Sequence, residues 1–408
     1  MSSSSPRSAA SSEAASLVDR VSLVLLALAM GGFAIGVTEF AAMSVLPQFA
    51  RTFDLNDTQA GYAVSIYALG VVVGAPILAV LGARIPRWKL LIGFMTLFAC
   101  GNLLTALSGS YEAMLVFRFL SGLPHGAYFG VGALVAVSLV SHGKRARAVA
   151  VMMFGLTGAT IVGVPLATYI SHLLDWRWAF VLSALLALAT AVMVWRFAPR
   201  DTPRRDVSPW KELDALKNSQ VWLTLAMGSI GFGGVFAVYS YLASTLESIS
   251  PASPALTPWV FGVFGLGMTA GTFIGAWGGD RFGIRAAAGV LIWGIAVLAI
   301  YPFAVGNVWA MAGAAFLVGT LGALGPILQT RLMDVAGDAQ TLAAALNHSA
   351  FNIANALGPY FVGLALYAGY DYSSAGWVGV GLSLGGLLLW VWAMADARRV
   401  ARNRAGQH

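Results

Sequence analysis

Charged residues are scarce in this chain of 408 residues: Asp, Glu, Lys and Arg together make up 10% of it, whereas hydrophobic residues make up 58%. A soluble domain carries about 25% charged residues, because its surface must be hydrated. The composition therefore excludes a soluble globular protein and predicts a protein embedded in a lipid bilayer.

Cysteine is nearly absent as well, and Cys100 is the single example. One cysteine excludes an internal disulfide and makes a cysteine-rich metal site unexpected. The sequence also lacks a G-x-x-x-x-G-K-S/T phosphate loop, a hydrolase nucleophile elbow and a metal-spaced His/Cys cluster. We therefore expect no enzymatic activity, no cofactor and no metal. By elimination, an ion gradient or the gradient of a substrate should drive any transport.

Twelve apolar segments follow one another along the chain. A bilayer core about 30 Å thick needs roughly 20 apolar residues in a helix. Segments of that kind, numbered here as spans 1 to 12, lie at 21–46, 59–82, 88–107, 111–140, 147–170, 177–197, 220–246, 258–279, 286–304, 307–333, 341–368 and 373–396.

The spans divide the chain into five regions. Residues 1–20, rich in Ser and Ala, are predicted to form a disordered cytoplasmic N-terminus. The apolar stretch after them exceeds the roughly 7–15 residues of the hydrophobic region of a signal peptide, so it is interpreted as an uncleaved first span. An N-terminal six-helix bundle at 21–197, a cytoplasmic linker at 198–219, a C-terminal six-helix bundle at 220–396 and a cytoplasmic tail at 397–408 follow.

The basic residues predict the orientation. If the N-terminus is cytoplasmic, 21 of the 24 Lys and Arg fall on the cytoplasmic side, as the positive-inside rule requires. We therefore predict a multi-pass protein of the bacterial inner membrane with both termini in the cytoplasm. Topology accounts for the net charge of +7, so no nucleic-acid partner is needed.

The two halves resemble each other at an offset of 197 residues. The segment from Gly74 to Arg84 aligns with the segment from Gly271 to Arg281, and Phe119 and Gly122 align with Phe316 and Gly319. At an offset of 194, Pro165 aligns with Pro359. Related halves that rock around a midplane site are typical of transporters, so the repeat predicts a duplicated six-helix unit.

Few ionisable residues lie within the spans, where they usually face a cavity or a partner. Glu39 and Arg118 both sit roughly 10 Å below the outer surface if the helices rise about 1.5 Å per residue, so a contact between them is possible. One hypothesis is that Glu39 binds a transported proton, with Arg118 or substrate favouring the ionised form. The alternative is a fixed ion pair that holds helices together. His125, seven residues beyond Arg118, suits a proton relay or a structural hydrogen bond.

Two further groups are candidates for a substrate cavity. Phe232, Phe236 and Tyr239 form an aromatic stripe in span 7, which could equally be packing. His348, Asn352 and Asn355 form a polar face on span 11, which could bind a polar substrate or a neighbouring helix. In span 5, the Gly163 and Pro165 pair could flex as a gate or simply pack.

Several motifs carry a family resemblance. In chain order they are Gly36–Phe40, Gly74–Pro76, Arg118 with Gly122, Ser121–Ala127, Gly155–Pro165 and the loop Gly278–Arg285. They are similar to the major facilitator superfamily, and within it to the drug:proton antiporter branch, above all bacterial arabinose and sugar efflux permeases and chloramphenicol exporters. The resemblance implies that spans 1, 4, 7 and 10 line the cavity. It implies gating roles for Asp280, Arg281, Gly283 and Arg285, and for Arg84 and Arg87 in a first-half loop that lacks the Asp and Gly.

Taken together, the sequence predicts an all-α membrane protein with twelve transmembrane helices in two pseudo-symmetric six-helix bundles. Its predicted function is proton-coupled efflux of a small-molecule substrate, a drug, a sugar or a related metabolite, by alternating access. The partners expected are that substrate, protons and lipid, and the protein is expected to be a monomer. A proton-coupled uptake symporter for a sugar or similar nutrient stays open, as does a non-transporting receptor or scaffold.

Overall fold

The computed structural model describes residues 6–82, 84–141, 145–202, 216–249, 253–336 and 340–405. These residues are helical and include no strand. Eleven of their helices are long and apolar enough to cross a membrane, namely spans 1 to 10 and span 12.

The helices follow the predicted order with shifted ends. In the first half, span 1 is Pro6–Ser44, span 2 Asp57–Gly82, span 3 Arg87–Ala106, span 4 Tyr111–Ser138, span 5 Arg145–Gly158 with Val164–Leu173, and span 6 Arg177–Phe197. In the second half, span 7 is Ser219–Gly231 with Gly233–Ile249, span 8 Thr257–Phe282, span 9 Arg285–Ala304, span 10 Val308–Gly319 with Leu324–Val335, span 11 Gln340–Tyr367, and span 12 Ser374–Ala405.

Span 11 completes the twelve. Its 28 residues are enough to cross a bilayer, but polar residues lower its hydropathy. Those side chains face the protein interior rather than lipid: Asn355 is fully buried, and Asn347, Ser349 and Asn352 are nearly so. A span that is polar inward and packed by other helices is compatible with the membrane.

Span 1 starts earlier than its apolar segment, at Pro6. This differs from the disorder predicted for residues 1–20. The reason is local, because Ala has the highest helix propensity and the segment runs without a break into a strongly helical span. Residues 1–5 of that segment, 203–215 of the predicted linker and 406–408 of the predicted tail lie outside the described residues.

Glycines bring equivalent spans into contact in both halves. A Cβ added at Gly70 would lie less than 3.0 Å from the carbonyl oxygen of Phe119, and one at Gly267 equally close to that of Phe316. These two contacts are related by the 197-residue offset of the sequence repeat. The same offset relates two further pairs of close contacts: Gly74 on Leu123 with Gly271 on Thr320, and Gly122 on Tyr67 with Gly319 on Phe264. Spans 2 and 4 therefore pack as spans 8 and 10 do, and the predicted duplication is confirmed.

The two halves meet along spans 1, 2, 4 and 5 on one side and spans 7, 8 and 11 on the other. We call the end of the bundle where span 1 begins and span 12 ends the termini side, and the other end the far side. At the far side, the Thr58 hydroxyl donates to the Gly363 carbonyl at 2.9 Å, and Arg51 pairs with Glu247 at 3.0 Å. These contacts hold the far side closed.

Candidate functional site between the two halves

Glu39 lies in the interface between the halves. The residue is 5% exposed, and its Oε1 atom accepts a hydrogen bond from the Asn355 amide at 3.2 Å. Span 1 supplies the acid and span 11 supplies the amide. The structure thus brings together a predicted proton-binding residue and a predicted cavity residue, which are 316 positions apart in the sequence.

Arg118 is fully buried, but it does not contact Glu39. The described residues contain two ion pairs, Arg51 with Glu247 and Arg177 with Asp175. The Arg118 Nε atom instead donates to the Ala63 carbonyl at 3.1 Å. A fixed Glu39–Arg118 ion pair is therefore not formed in this conformation.

Aromatic rings surround the Arg118 guanidinium. Its central carbon lies 4.3 Å from the Tyr67 ring centroid and 5.3 Å from that of Phe180, which is favourable cation–π geometry. Its Nη1 and Nη2 atoms have no hydrogen-bond partner. A buried donor without a partner costs free energy, so these two atoms are well suited to donate hydrogen bonds to water or to a substrate group.

His125 contacts Tyr67 and faces His348. The Tyr67 hydroxyl lies 3.0 Å from His125 Nδ1, and the two imidazole centroids are 6.0 Å apart. His348 also stacks on Phe129 at 4.7 Å. His125 Nε2 has no partner. Since His125 and His348 belong to different halves, this cluster is a second polar contact across the interface.

The aromatic stripe of span 7 points into the protein. Phe40 of span 1 stacks on Phe236 at 6.4 Å and meets Tyr239 edge-on at 5.5 Å. Phe232 packs on Phe351 of span 11 at 4.8 Å. The stripe therefore joins the halves beside Glu39 and makes no lipid contact. The Tyr239 hydroxyl has no partner, which leaves a polar atom among the rings.

Asn352 lies one turn before Asn355. Its amide nitrogen donates to the His348 carbonyl of its own helix at 3.0 Å, and its Oδ1 has no partner. It therefore makes no described contact with the first half.

The residues implied as gates lie at the termini side. The second-half loop holds Asp280, Arg281, Gly283 and Arg285, all exposed, and Gly283 has a φ of 56°, which favours glycine. In the first half, Arg84 is exposed and the Arg87 backbone N–H donates to Asp201 at 3.1 Å.

Span 5 is interrupted by a π-helical turn, Ala159–Gly163, which ends two residues before Pro165. A Cβ on Gly163 would lie 2.5 Å from a Val37 methyl group in span 1. A π turn leaves backbone groups less regularly bonded than an α-helix and occurs at functional sites. Span 5 is thus irregular at the Gly163 and Pro165 pair, where it packs against span 1.

Sequence reasoning missed Tyr67, Phe129 and Phe40. The hydroxyl and ring of Tyr67 link Arg118 to His125, and Phe40 and Phe129 each contact a residue of the other half. A tyrosine in the middle of a largely apolar span was the available signal for Tyr67. Nothing in the local sequence distinguishes the two phenylalanines.

A comparison with known protein families identifies the family to which this two-half fold belongs. The family model described as Major Facilitator Superfamily matches residues 28–285 and 242–408. The chain belongs to the major facilitator superfamily. The resemblance seen in the sequence motifs is thereby confirmed, and so is the twelve-span fold. Membership makes the chain a multi-pass membrane transporter, in a family of transporters and not of enzymes.

Relatives within the superfamily cover most of the chain. It is 37% identical to the inner membrane transport protein YdhP of Escherichia coli O157:H7, over 87% of this chain and 91% of that protein. It is 34% identical to the putative transporter AraJ of E. coli K12, over 86% and 89%. It is 30% identical to a chloramphenicol resistance protein of Streptomyces lividans, over 83% and 87%.

Proposed function

We propose that this superfamily member exports a small molecule from the bacterial cytoplasm in exchange for protons. The observation that carries the proposal is the buried carboxyl group of Glu39, placed where the two halves meet and bonded across the interface to Asn355. An acid buried in a membrane is costly and is retained mainly where it works. The relative named for chloramphenicol resistance supports export as the direction.

The proposed roles follow the geometry. Glu39 binds the proton, and Arg118 and His125 couple its charge to the rest of the bundle through Tyr67. The substrate binds between the halves, beside the span 7 aromatic stripe and the polar face of span 11. Alternating access opens the far side and the termini side in turn, with the termini side facing the cytoplasm.

The gating residues belong to the same proposal. The loops with Arg84 and Arg87 and with Asp280 to Arg285 hold the termini side when it closes. The π turn before Pro165 lets span 5 bend, because its backbone is already irregular.

The test is flux into everted membrane vesicles, which present the cytoplasmic face. A susceptibility panel in a host lacking its own exporters, including chloramphenicol, sugars and purine nucleosides, first selects the substrate. A pH gradient, acidic inside the vesicle, should then drive uptake by the wild type. Glu39→Gln should reduce that uptake to the level seen without a gradient, since the proton site is gone.

Glu112→Gln is the matched control, because Glu112 is an exposed acid at the start of span 4. It should leave the flux unchanged. Full pH-driven transport by Glu39→Gln would contradict the proton site. Uptake driven into right-side-out vesicles by an acidic exterior would indicate a symporter, and absence of flux for every compound would indicate a receptor or scaffold.

A further inference from the structure

The hydrogen bond between Glu39 and Asn355 joins two fully interior groups from opposite halves. Asn355 is 0% and Glu39 is 5% exposed, so water competes little for the bond. The amide nitrogen of Asn355 donates, and its Oδ1 atom has no partner. The hydrogen bond to Glu39 is therefore the one bond that the Asn355 side chain makes with the described residues.

The strength of this bond depends on the charge of Glu39. A hydrogen bond to an ionised carboxylate is roughly twice as strong as one between neutral groups. An amide N–H that loses a buried acceptor is left without a partner, which is costly. The ionised carboxylate thus holds the halves together more firmly than the protonated acid does.

An exchanger needs a device of this kind. Protons and substrate are exchanged only if the carrier changes sides with a proton or with substrate, and not when it is empty. An empty carrier that changed sides would let substrate run down its gradient without any proton. Some contact must therefore stabilise the empty, ionised carrier and yield to either ligand.

We propose that the Glu39–Asn355 hydrogen bond is the lock that keeps the empty, ionised carrier from opening at the far side. Two events release this lock: protonation of Glu39, or binding of a substrate group that accepts the hydrogen bond of the Asn355 amide in place of Glu39. Asn355 is then a positioning residue that acts through Glu39. This inference rests on the proposed proton-coupled function and adds to it a residue in the second half.

Other groups surround the lock. Tyr67 of span 2, Arg118 of span 4 and Tyr239 of span 7 interact electrostatically with Glu39, and His125 and His348 lie farther along spans 4 and 11. The tyrosines and the arginine keep their charge state between about pH 5 and pH 9. Glu39, His125 and His348 can respond in that range, as can His172, which interacts with Arg51 and Glu247 at the far side. Glu39→Gln separates Glu39 from the three histidines.

The test measures the opening of the far side without substrate. Leu107 and Tyr370 are exposed there, one in each half, so spin labels on L107C and Y370C report the separation by pulsed electron resonance. Cys100, the only natural cysteine, is changed to Ser. We expect the wild type to be closed at about pH 9, where Glu39 is ionised, and to gain an open population at about pH 5. Glu39→Gln should be partly open at both.

Asn355→Leu is the decisive variant. Loss of a bond to a charged group should raise the ratio of open to closed protein at pH 9 roughly tenfold. Asn347→Leu is the matched control, because Asn347 is buried two turns away on the same helix and bonds Gln329 within the second half; it should stay closed. As a second variant, Asn355→Asp sets two carboxylates against each other and should open at pH 9 but close near pH 6, when the pair shares a proton.

The proposed lock is overturned if Asn355→Leu and Asn355→Asp match the wild type at pH 9, or if Asn347→Leu opens as much as Asn355→Leu. It is also overturned if Glu39→Gln keeps the full pH response, because the histidines would then carry it. The proposed function fails on a different measurement. It is contradicted if Glu39→Gln keeps full pH-driven flux in vesicles.

Discussion

Tyr67 uses both parts of its side chain. Its ring lies 4.3 Å from the Arg118 guanidinium carbon, and its hydroxyl lies 3.0 Å from His125 Nδ1. It is fully buried, so neither contact is shared with water. Tyr67 therefore connects the two ionisable residues of span 4, although it belongs to span 2.

Tyr67→Phe should separate these two contacts. It keeps the ring beneath Arg118 and removes the bond to His125, which should cost about 1 kcal/mol of unfolding free energy. If the link to His125 serves proton coupling, proton-driven flux should fall more than the change in stability explains. Thermal unfolding in detergent and vesicle flux measure the two effects.

Tyr128→Phe provides the comparison. The Tyr128 hydroxyl is also buried and donates to the Leu28 carbonyl at 2.9 Å, so its loss should cost a similar free energy. It contacts no ionisable group among its described hydrogen bonds, and flux should persist. Equal flux in the two variants would mean that the Tyr67 hydroxyl only stabilises the fold.

At the residue scale, the sequence predicts which side chains matter better than it predicts their partners. Glu39 and Arg118 stand out because charges in apolar spans are rare. Their similar depth suggested a mutual contact, yet Glu39 bonds Asn355 and Arg118 bonds the Ala63 carbonyl. The rotation and register of packed helices decide these pairings, and hydropathy carries no information about either.

At the scale of single helices, glycines set how closely spans approach. Gly122 faces the Tyr67 carbonyl, and Gly319 faces that of Phe264. Both contacts leave no room for a side chain, and backbone atoms cannot move aside as a flexible side chain can. The repeat in the sequence predicted that these positions were equivalent, but only the packing shows why glycine is needed.

Gly122→Ala and Gly319→Ala should each destabilise the protein by about 1–3 kcal/mol, the usual cost of overpacking a tight interface. The midpoint of thermal unfolding in detergent measures the loss. Gly93→Ala and Gly313→Ala are the controls, because nothing lies within 4 Å of a Cβ built at either position. They should be neutral or slightly stabilising, since Ala favours a helix over Gly by up to about 1 kcal/mol.

A loss of stability at Gly93 or Gly313 as large as that at Gly122 or Gly319 would contradict the packing argument.

The π turn of span 5 and the short helix Leu46–Phe53 mark the limit of prediction at this scale. Hydropathy found the spans, but it does not record how a backbone is interrupted within or after them.

At the scale of the whole molecule, the two halves are closed at the far side. The Arg51–Glu247 pair there is largely solvent-exposed on the arginine side, at 63%, so it contributes about 0–1 kcal/mol. Bonds to backbone carbonyls, such as Thr58 to Gly363 and Ser65 to Ala356, bring spans 2 and 11 into direct contact. The twelve spans and their duplication could be predicted from sequence, but this closed state could not. The conformation open at the far side and the one open at the termini side have the same hydropathy pattern.

Alternating access requires spans 2 and 11 to part at the far side, and a disulfide between Thr58→Cys and Gly363→Cys tests that requirement. A Cβ on Gly363 would lie 3.2 Å from the Thr58 methyl carbon, which stands in for the sulfur of a cysteine at position 58, so the two cysteines would be close enough to be joined by an S–S bond of about 2.0 Å. In a Cys100→Ser background, an oxidant should abolish flux in everted vesicles and a reductant should restore it. Each single-cysteine variant should be insensitive to both reagents. Normal flux through fully cross-linked protein would show that the far side does not open between these spans, and the cycle would need a different exit.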